Sequence, residues 1–342
     1  MRIKLISDIL DFKKLEKDWD RLFRDKNNYS NFQSFEFNYY SWKYSLSKSD
    51  NILSIVVLFE SQNIQSILPF YIDKRLRLRF INDIHADFCD CLTNIDIDFD
   101  LVVKELQSNF KIKYFDLINI KNDSSILQKI SPSYYKPVSS SEYSVLGLEK
   151  GVFPDNYSQY KSKQKTEFRR ILKKHKEKTH ELIDCNIAEF PFSEIKNLRR
   201  SMIQSGLRKN SFLPDGQLFL IEKLYNKGKI ILSIVKTDNK INAISFVIKD
   251  SIEYLIWIDM FDKSKMINIF NYIFLLSVLS YEKSIKINFG RGVYGYKLSN
   301  FLPFSKQLFS LRIFSSKRYE LYYNFERHVF SFLRGFYKII NK

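Results

Sequence analysis

A pentapeptide, Ile-Leu-Ser-Ile-Val, occurs twice in the chain, at residues 52–56 and 231–235. Each copy opens a run of β-branched and aromatic residues broken by a polar turn: Glu60-Ser61-Gln62-Asn63 before 64–72, and Thr237-Asp238-Asn239-Lys240 before 241–248. That pattern predicts two antiparallel hairpins. A strand, a helix and a further strand follow each of them. The helices are expected at about 102–109 and 267–282, and the closing strands at 114–120 and 285–289. Ile269, Ile273, Leu276 and Ser280 share one face of the second helix, which suits packing on a sheet. The order of elements, more than the five identical letters, argues for a duplicated α/β (α+β) unit with a mixed, mainly antiparallel sheet. It divides the chain into domains at 1–150 and 183–342, with 151–182 between them.

Size and composition agree with two units, because 342 residues at 45% hydrophobic and 16% aromatic hold enough apolar mass for two cores. The longest apolar stretch, 269–281, contains Asn271 and falls short of the ~20 residues that cross a bilayer. The opening residues lack a signal-peptide core, so a cytoplasmic location is expected. Cys89, Cys91 and Cys185 are too few for a disulfide framework and stand near no histidine cluster, so they are read as reduced thiols. The four histidines, at 85, 175, 180 and 328, are not spaced as ligands, and no metal is expected. Dinucleotide-binding, P-loop and serine-hydrolase readings lack their glycine motifs.

Fifty-five Lys and Arg against 38 Asp and Glu leave a net charge of +17, which favours polyanionic partners, although an AT-rich genome would produce part of the excess. Residues 161–180 alone hold nine Lys or Arg and two Glu. With Tyr157, Tyr160, Phe168, Ile171 and Leu172 as an apolar stripe, they predict a basic helix joining the two domains. It is either a solvated linker or a guide toward a phosphate-bearing ligand. No helix-turn-helix, RNA-binding sheet or finger accompanies the charge, so nucleic acid is not an expected partner. A second basic helix, 317–342, carries Tyr319, Tyr322, Tyr323, Phe325, Phe330, Phe332, Phe336 and Tyr337. Most of these rings are expected to pack on the second domain, with a weak membrane-surface contact left open.

Three constellations carry chemistry. Asn288-Phe289-Gly290-Arg291-Gly292 and the following Tyr294, Tyr296 and Lys297 end a strand with glycines that let a ligand approach closely. Arg291 offers a fork for phosphate or carboxylate, with Tyr294, Tyr296 and Lys297 as further donors; a salt-bridged turn is the alternative. His85 lies among Asp83, Asp87 and Asp90, where a carboxylate can orient an imidazole base, or where the acids simply cap turns. The strand that includes Trp257, Ile258, Asp259 and Met260 leads to Lys263, Lys265, Asn268 and Asn271 at a helix start, a place that favours phosphate. Asp259 would face the ligand beside that phosphate, or would cap the helix.

These residues resemble the GNAT acyltransferases. Two copies joined by a Lys/Arg-rich helix resemble the tandem-GNAT, CelD/BcsL-like branch, which is related to the Fem aminoacyltransferases. The landmarks are Asn31-Phe32-Gln33-Ser34-Phe35-Glu36-Phe37 with Trp42, Leu68-Pro69-Phe70, His85-Ala86-Asp87-Phe88-Cys89-Asp90, the helix 160–174, and Asn288-Phe289-Gly290-Arg291-Gly292 with Tyr296-Lys297. The helix start departs from the family in lacking both the Ser-Pro-Gly of the branch and the glycine-rich pyrophosphate loop of ordinary GNAT enzymes. The resemblance implies an acyl-CoA donor and attack of an amine on its thioester. It further implies a nucleotide-linked deoxyamino sugar as acceptor, such as a dTDP-3-amino-3,6-dideoxyhexose taking an acetyl or 3-hydroxybutanoyl group for O-antigen or capsule. On that reading Trp257, Ile258, Met260, Lys263, Lys265, Asn268 and Asn271 hold CoA. His85 or Asp259 is the base, Tyr296 or Tyr294 protonates the thiolate, and Asp87, Asp90, Arg291, Tyr294 and Lys297 bind the sugar nucleotide. The alternatives are a Fem-like aminoacyltransferase on a cell-wall precursor and a non-catalytic protein of the membrane surface.

Overall fold

Residues 2–25, 29–129, 137–262, 265–292 and 295–340 are described by the computed structural model of the chain. Both hairpins form where the repeat places them. Ile230–Thr237 pairs with Lys240–Lys249 across Asp238 and Asn239, whose φ values of 48° and 60° suit a two-residue turn matched to strand twist. In the first copy Ile55–Glu60 pairs with Asn63–Leu68, and the expected run 64–72 is cut at Pro69, which has no N–H to give to a ladder. The chain changes sheets there and at Ser54. Ile52–Leu53 and Phe70–Ile72 join one sheet, while the hairpin itself lies in another with Arg2–Ile6 and Leu92–Thr93.

The larger sheet crosses both halves. Its order is Thr179–Ile183, Ile230–Thr237, Lys240–Lys249, Tyr254–Phe261, Ile285–Arg291, Val138–Leu148, Phe304–Phe314, Tyr114–Lys121, Arg77–Phe80, Phe70–Ile72 and Ile52–Leu53. Within it Val138–Leu148 lies between Ile285–Arg291 and Phe304–Phe314, and the latter pairs on to Tyr114–Lys121, so each half supplies a strand to the seam. The sheet is mixed and mainly antiparallel. Its parallel pairs are Arg77–Phe80 with Tyr114–Lys121 and Tyr254–Phe261 with Ile285–Arg291. The crossovers between the partners contain the helices Phe99–Asn109 and Lys265–Ser280.

Packing follows the sequence pattern in most places. Ile269, Ile273, Leu276 and Ser280 of helix Lys265–Ser280 are buried. The basic helix forms at Ser162–Lys174 and buries Phe168 and Ile171, with Phe168 against Phe153 and Phe301. Lys161, Lys163, Lys173 and Lys174 remain exposed on its outer side. The final helix spans Lys317–Ile340. Tyr323 packs on the sheet, against Tyr114 and Phe314 at centroid distances of 5.4 and 5.5 Å, whereas Tyr322 and Phe325 are 57% and 67% exposed. A helix leaving the end of a strand touches the sheet along one side, so Tyr322 and Phe325 on its other faces stay exposed. The side chains of Phe330, Phe332, Phe336 and Tyr337 lie outside the described residues. None of the three cysteines forms a disulfide, and no metal-holding cluster occurs among the described residues.

Candidate functional site

Strands Tyr254–Phe261 and Ile285–Arg291 pair only at Tyr254↔Ile287 and Leu255↔Asn288, then separate. A bulge falls at the point of separation, because Val247 faces Ile256 while Phe246 faces Ile258, leaving Trp257 unmatched. The parting strands open a cavity of about 430 Å³, within the ~300–1,000 Å³ of small-molecule sites. Trp257, Ile258, Asp259 and Phe261 line it from one strand, and Phe289 and Arg291 from the other. Asn268 comes from the start of helix Lys265–Ser280 and Lys297 from helix Gly295–Phe301. Asp87 reaches in from the first half, and Arg208 and Phe212 from the segment before helix Asp215–Asn226.

The Gly290–Arg291 corner is built around Asp87. Gly290 has φ of 73°, and a Cβ there would stand 2.5 Å from Asp87 Oδ2 and 3.2 Å from the Ile256 carbonyl, so the position requires glycine. The Arg291 backbone N–H donates to Asp87 Oδ2 at 3.1 Å, with the guanidinium 3.8 Å from Oδ1. Burial nonetheless dominates and raises the Asp87 carboxyl to about 6. Lys297 is buried and donates to the Phe289 carbonyl at 2.5 Å; burial lowers its pKa, against the attraction of Asp259 and Asp87.

Asp259 anchors the opposite wall. Ser245 Oγ donates to its Oδ1 at 2.8 Å and the Tyr272 hydroxyl donates to its Oδ2. Asn271 lies behind, donating to Ser245 Oγ at 3.0 Å and accepting from Ser233 Oγ at 2.7 Å, so it braces Asp259 from the interior and does not line the cavity. Asn268 does line it. Asn268 is 2% exposed, and its Oδ1 has no hydrogen-bond partner, an orphaned buried acceptor at a helix start beside the space.

The other sequence candidates take different places. His85 Nε2 pairs with Ser45 Oγ at 2.9 Å, and burial lowers its pKa to about 4, so the ring is neutral at physiological pH. Asp87 turns to Arg291 instead of to that ring; His85 meets the site through its carbonyl, which accepts from Trp257 Nε1 at 2.9 Å. Asp90 accepts from the backbone N–H groups of Cys91, Ser125 and Ile126 at 2.8, 2.7 and 2.9 Å, capping the short helix Ser125–Lys129. Met260 is buried on the reverse face of its strand. Lys263 and Tyr294 lie outside the described residues, as do the side chains of Lys265 and Tyr296. Arg208 and Phe212 were not singled out from sequence, since they sit in an aperiodic polar stretch. In the structure the Arg208 guanidinium lies 4.9 Å above the Phe212 ring.

No family model matches the chain, and no curated protein matches it. Solved structures do. The C-terminal DUF2156 domain of an Agrobacterium fabrum protein, provisionally assigned as a lysylphosphatidylglycerol synthetase, aligns over 92% of this chain and 95% of its own at 12% identity and a TM-score of 0.59. FemX aligns over 91% and 97% at 10% identity and a TM-score of 0.56. A tandem GNAT protein from the clavulanic acid biosynthesis pathway aligns over 92% and 99% at 7% identity and a TM-score of 0.51. The chain therefore has the GNAT fold.

Proposed function

We propose that this chain is an acyl-CoA-dependent N-acyltransferase acting on the amino group of a nucleotide-linked deoxyamino sugar, in the assembly of O-antigen or capsule. One observation carries the reading: at the open end of the second parallel strand pair, a cavity of about 430 Å³ gathers a helix start, a buried amide whose oxygen lacks a partner, two guanidinium groups and two carboxylates. The helix start and Arg208 are the groups that would hold the phosphates of the donor, and Asn268 Oδ1 would accept from one of the donor's N–H or O–H groups. The parted strands leave backbone groups free to hydrogen-bond an extended ligand arm.

The residues also suit the proton that must move. An alkylamine of pKa near ~8 is mostly protonated at neutral pH and attacks a thioester carbonyl only after losing that proton. Asp87, raised to about 6 by burial, is matched to accept it near neutral pH. Asp259, fixed by Ser245 and Tyr272, orients the ammonium beforehand. As the C–N bond forms and the C–S bond breaks, Lys297 and Arg291 supply positive charge to the cavity wall. A second reading keeps the site and exchanges the donor for aminoacyl-tRNA with a cell-wall precursor as acceptor; the likeness in fold to FemX and to the DUF2156 domain favours it.

Free-thiol release across a panel of acyl-CoAs and nucleotide-linked amino sugars tests the proposal. Thiol release that depends on one such sugar is expected. Inert acyl-CoAs together with aminoacyl transfer from charged tRNA would overturn it in favour of the second reading.

A further inference from the structure

We propose that helix Lys317–Ile340 docks the protein on an anionic lipid surface. The helix has 24 residues, about 36 Å of cylinder, and no helix among the described residues is long and apolar enough to cross a membrane. It is held to the body through Tyr323, which packs on Tyr114 and Phe314 and lies under Arg312. At about 100° per residue, Leu321, Phe325 and Val329 fall within one arc roughly opposite Tyr323, and sequence positions 332, 336 and 340 repeat the same arc. Leu321, Phe325 and Val329 therefore face away from the protein. Leu321 and Phe325 are 63% and 67% exposed, a large apolar surface for a chain rich in polar residues.

Charge selects the occupant. Residues 317–342 hold six Lys or Arg and two Glu, with Arg327, Arg334 and Lys338 on positions away from the stripe. A basic helix with an apolar stripe that Arg318 enters at its first turn matches the boundary between anionic headgroups and acyl chains. A second copy of the chain would bring another +17 against the same helix, and that repulsion disfavours self-association.

Co-sedimentation of the full chain with vesicles tests this, using phosphatidylcholine alone and phosphatidylcholine with about 30 mol% phosphatidylglycerol. Binding to the anionic vesicles that weakens with added salt is expected, and Leu321→Asp with Phe325→Asp should reduce it by about tenfold or more. Both side chains are exposed, so the melting temperature should not move, and Phe325→Leu should keep vesicle binding. Absence of binding to anionic vesicles overturns the proposal, as does a double variant that binds like the native chain. A native dimer that the double variant turns into a monomer overturns it too, by assigning the stripe to a second copy.

Discussion

The parallel pair Arg77–Phe80 with Tyr114–Lys121 and its counterpart in the second half each hold register over two residue pairs before they part. Beyond the first lies a space of about 20 Å³, beyond the second one of about 430 Å³. The first has room for about one water. Its gap is closed by the chain itself: the Cys89 N–H donates to the Asn119 carbonyl at 2.9 Å, and Phe88, 2% exposed, wedges against Phe32 and Tyr143. The same loop then serves the second half, giving its His85 carbonyl to Trp257 and its Asp87 to the Gly290–Arg291 corner. One strand pair thus keeps its opening, and the loop that plugs the other serves as its wall. Closing the first gap is what places a first-half carboxylate beside the second.

This contrast can be broken at four points. The largest effect belongs to the carboxylates of the open end: Asp87→Asn and Asp259→Asn should each lower kcat/KM for amine acylation by about 10²- to 10⁴-fold. Because Asp87 must be deprotonated to accept a proton, the native rate should fall as pH drops below about 6, and that acid limb should vanish in Asp87→Asn. His85→Asn should change neither, since that ring is neutral and turned toward Ser45. A pH–rate profile for each variant checks the set.

Next comes the closed end. Phe88→Ala removes a buried wedge and should cost about 3–5 kcal/mol in denaturant unfolding. Donor affinity should change far less than stability, because Phe88 does not line the larger cavity. Third, Asn268→Leu removes an orphaned buried acceptor from the open end, so melting should hold or rise while donor affinity drops by about tenfold. A variant that melts lower and binds as before would mean that Asn268 is structural.

The smallest effect concerns the contact between halves. Asp250 Oδ1 accepts from the Asn31 N–H at 2.7 Å, and burial raises its carboxyl to about 6, with Glu253 adding to the rise and Lys121 opposing it. A folded pKa above the unfolded value of ~3.9 gives stability at low pH that is lost as pH rises through about 6. Asp250→Asn should therefore stabilise the chain by on the order of 1 kcal/mol at pH 8 and flatten the dependence between pH 4 and 6. Melting temperatures across that range measure it.

Much of the fold was legible because it is written in local periodicity. The repeated pentapeptide, the turns and the Ile269–Ser280 stripe each depend on residues a few positions apart. The split at Pro69 was also visible in principle, since proline cannot serve a ladder. The site was legible only where one strand carries it, as at Trp257, Ile258, Asp259 and Arg291. Asp87 touches Arg291 across 204 positions of sequence, and nothing local told its turn toward that corner from a pairing with His85. Asp90 reads as a ligand-binding acid until the backbone donors of 125–126 are seen around it. Arg208 and Phe212 enter the cavity from an aperiodic segment, where no pattern marks a side chain as facing anything.

Calorimetric titration of acetyl-CoA into the native chain, Phe88→Ala and Ile258→Trp is the most direct test, because the last substitution fills the open end with a bulky ring. Saturable heat with the first two and none with Ile258→Trp is the predicted result. No heat with the native chain, or equal binding by Ile258→Trp, would contradict it.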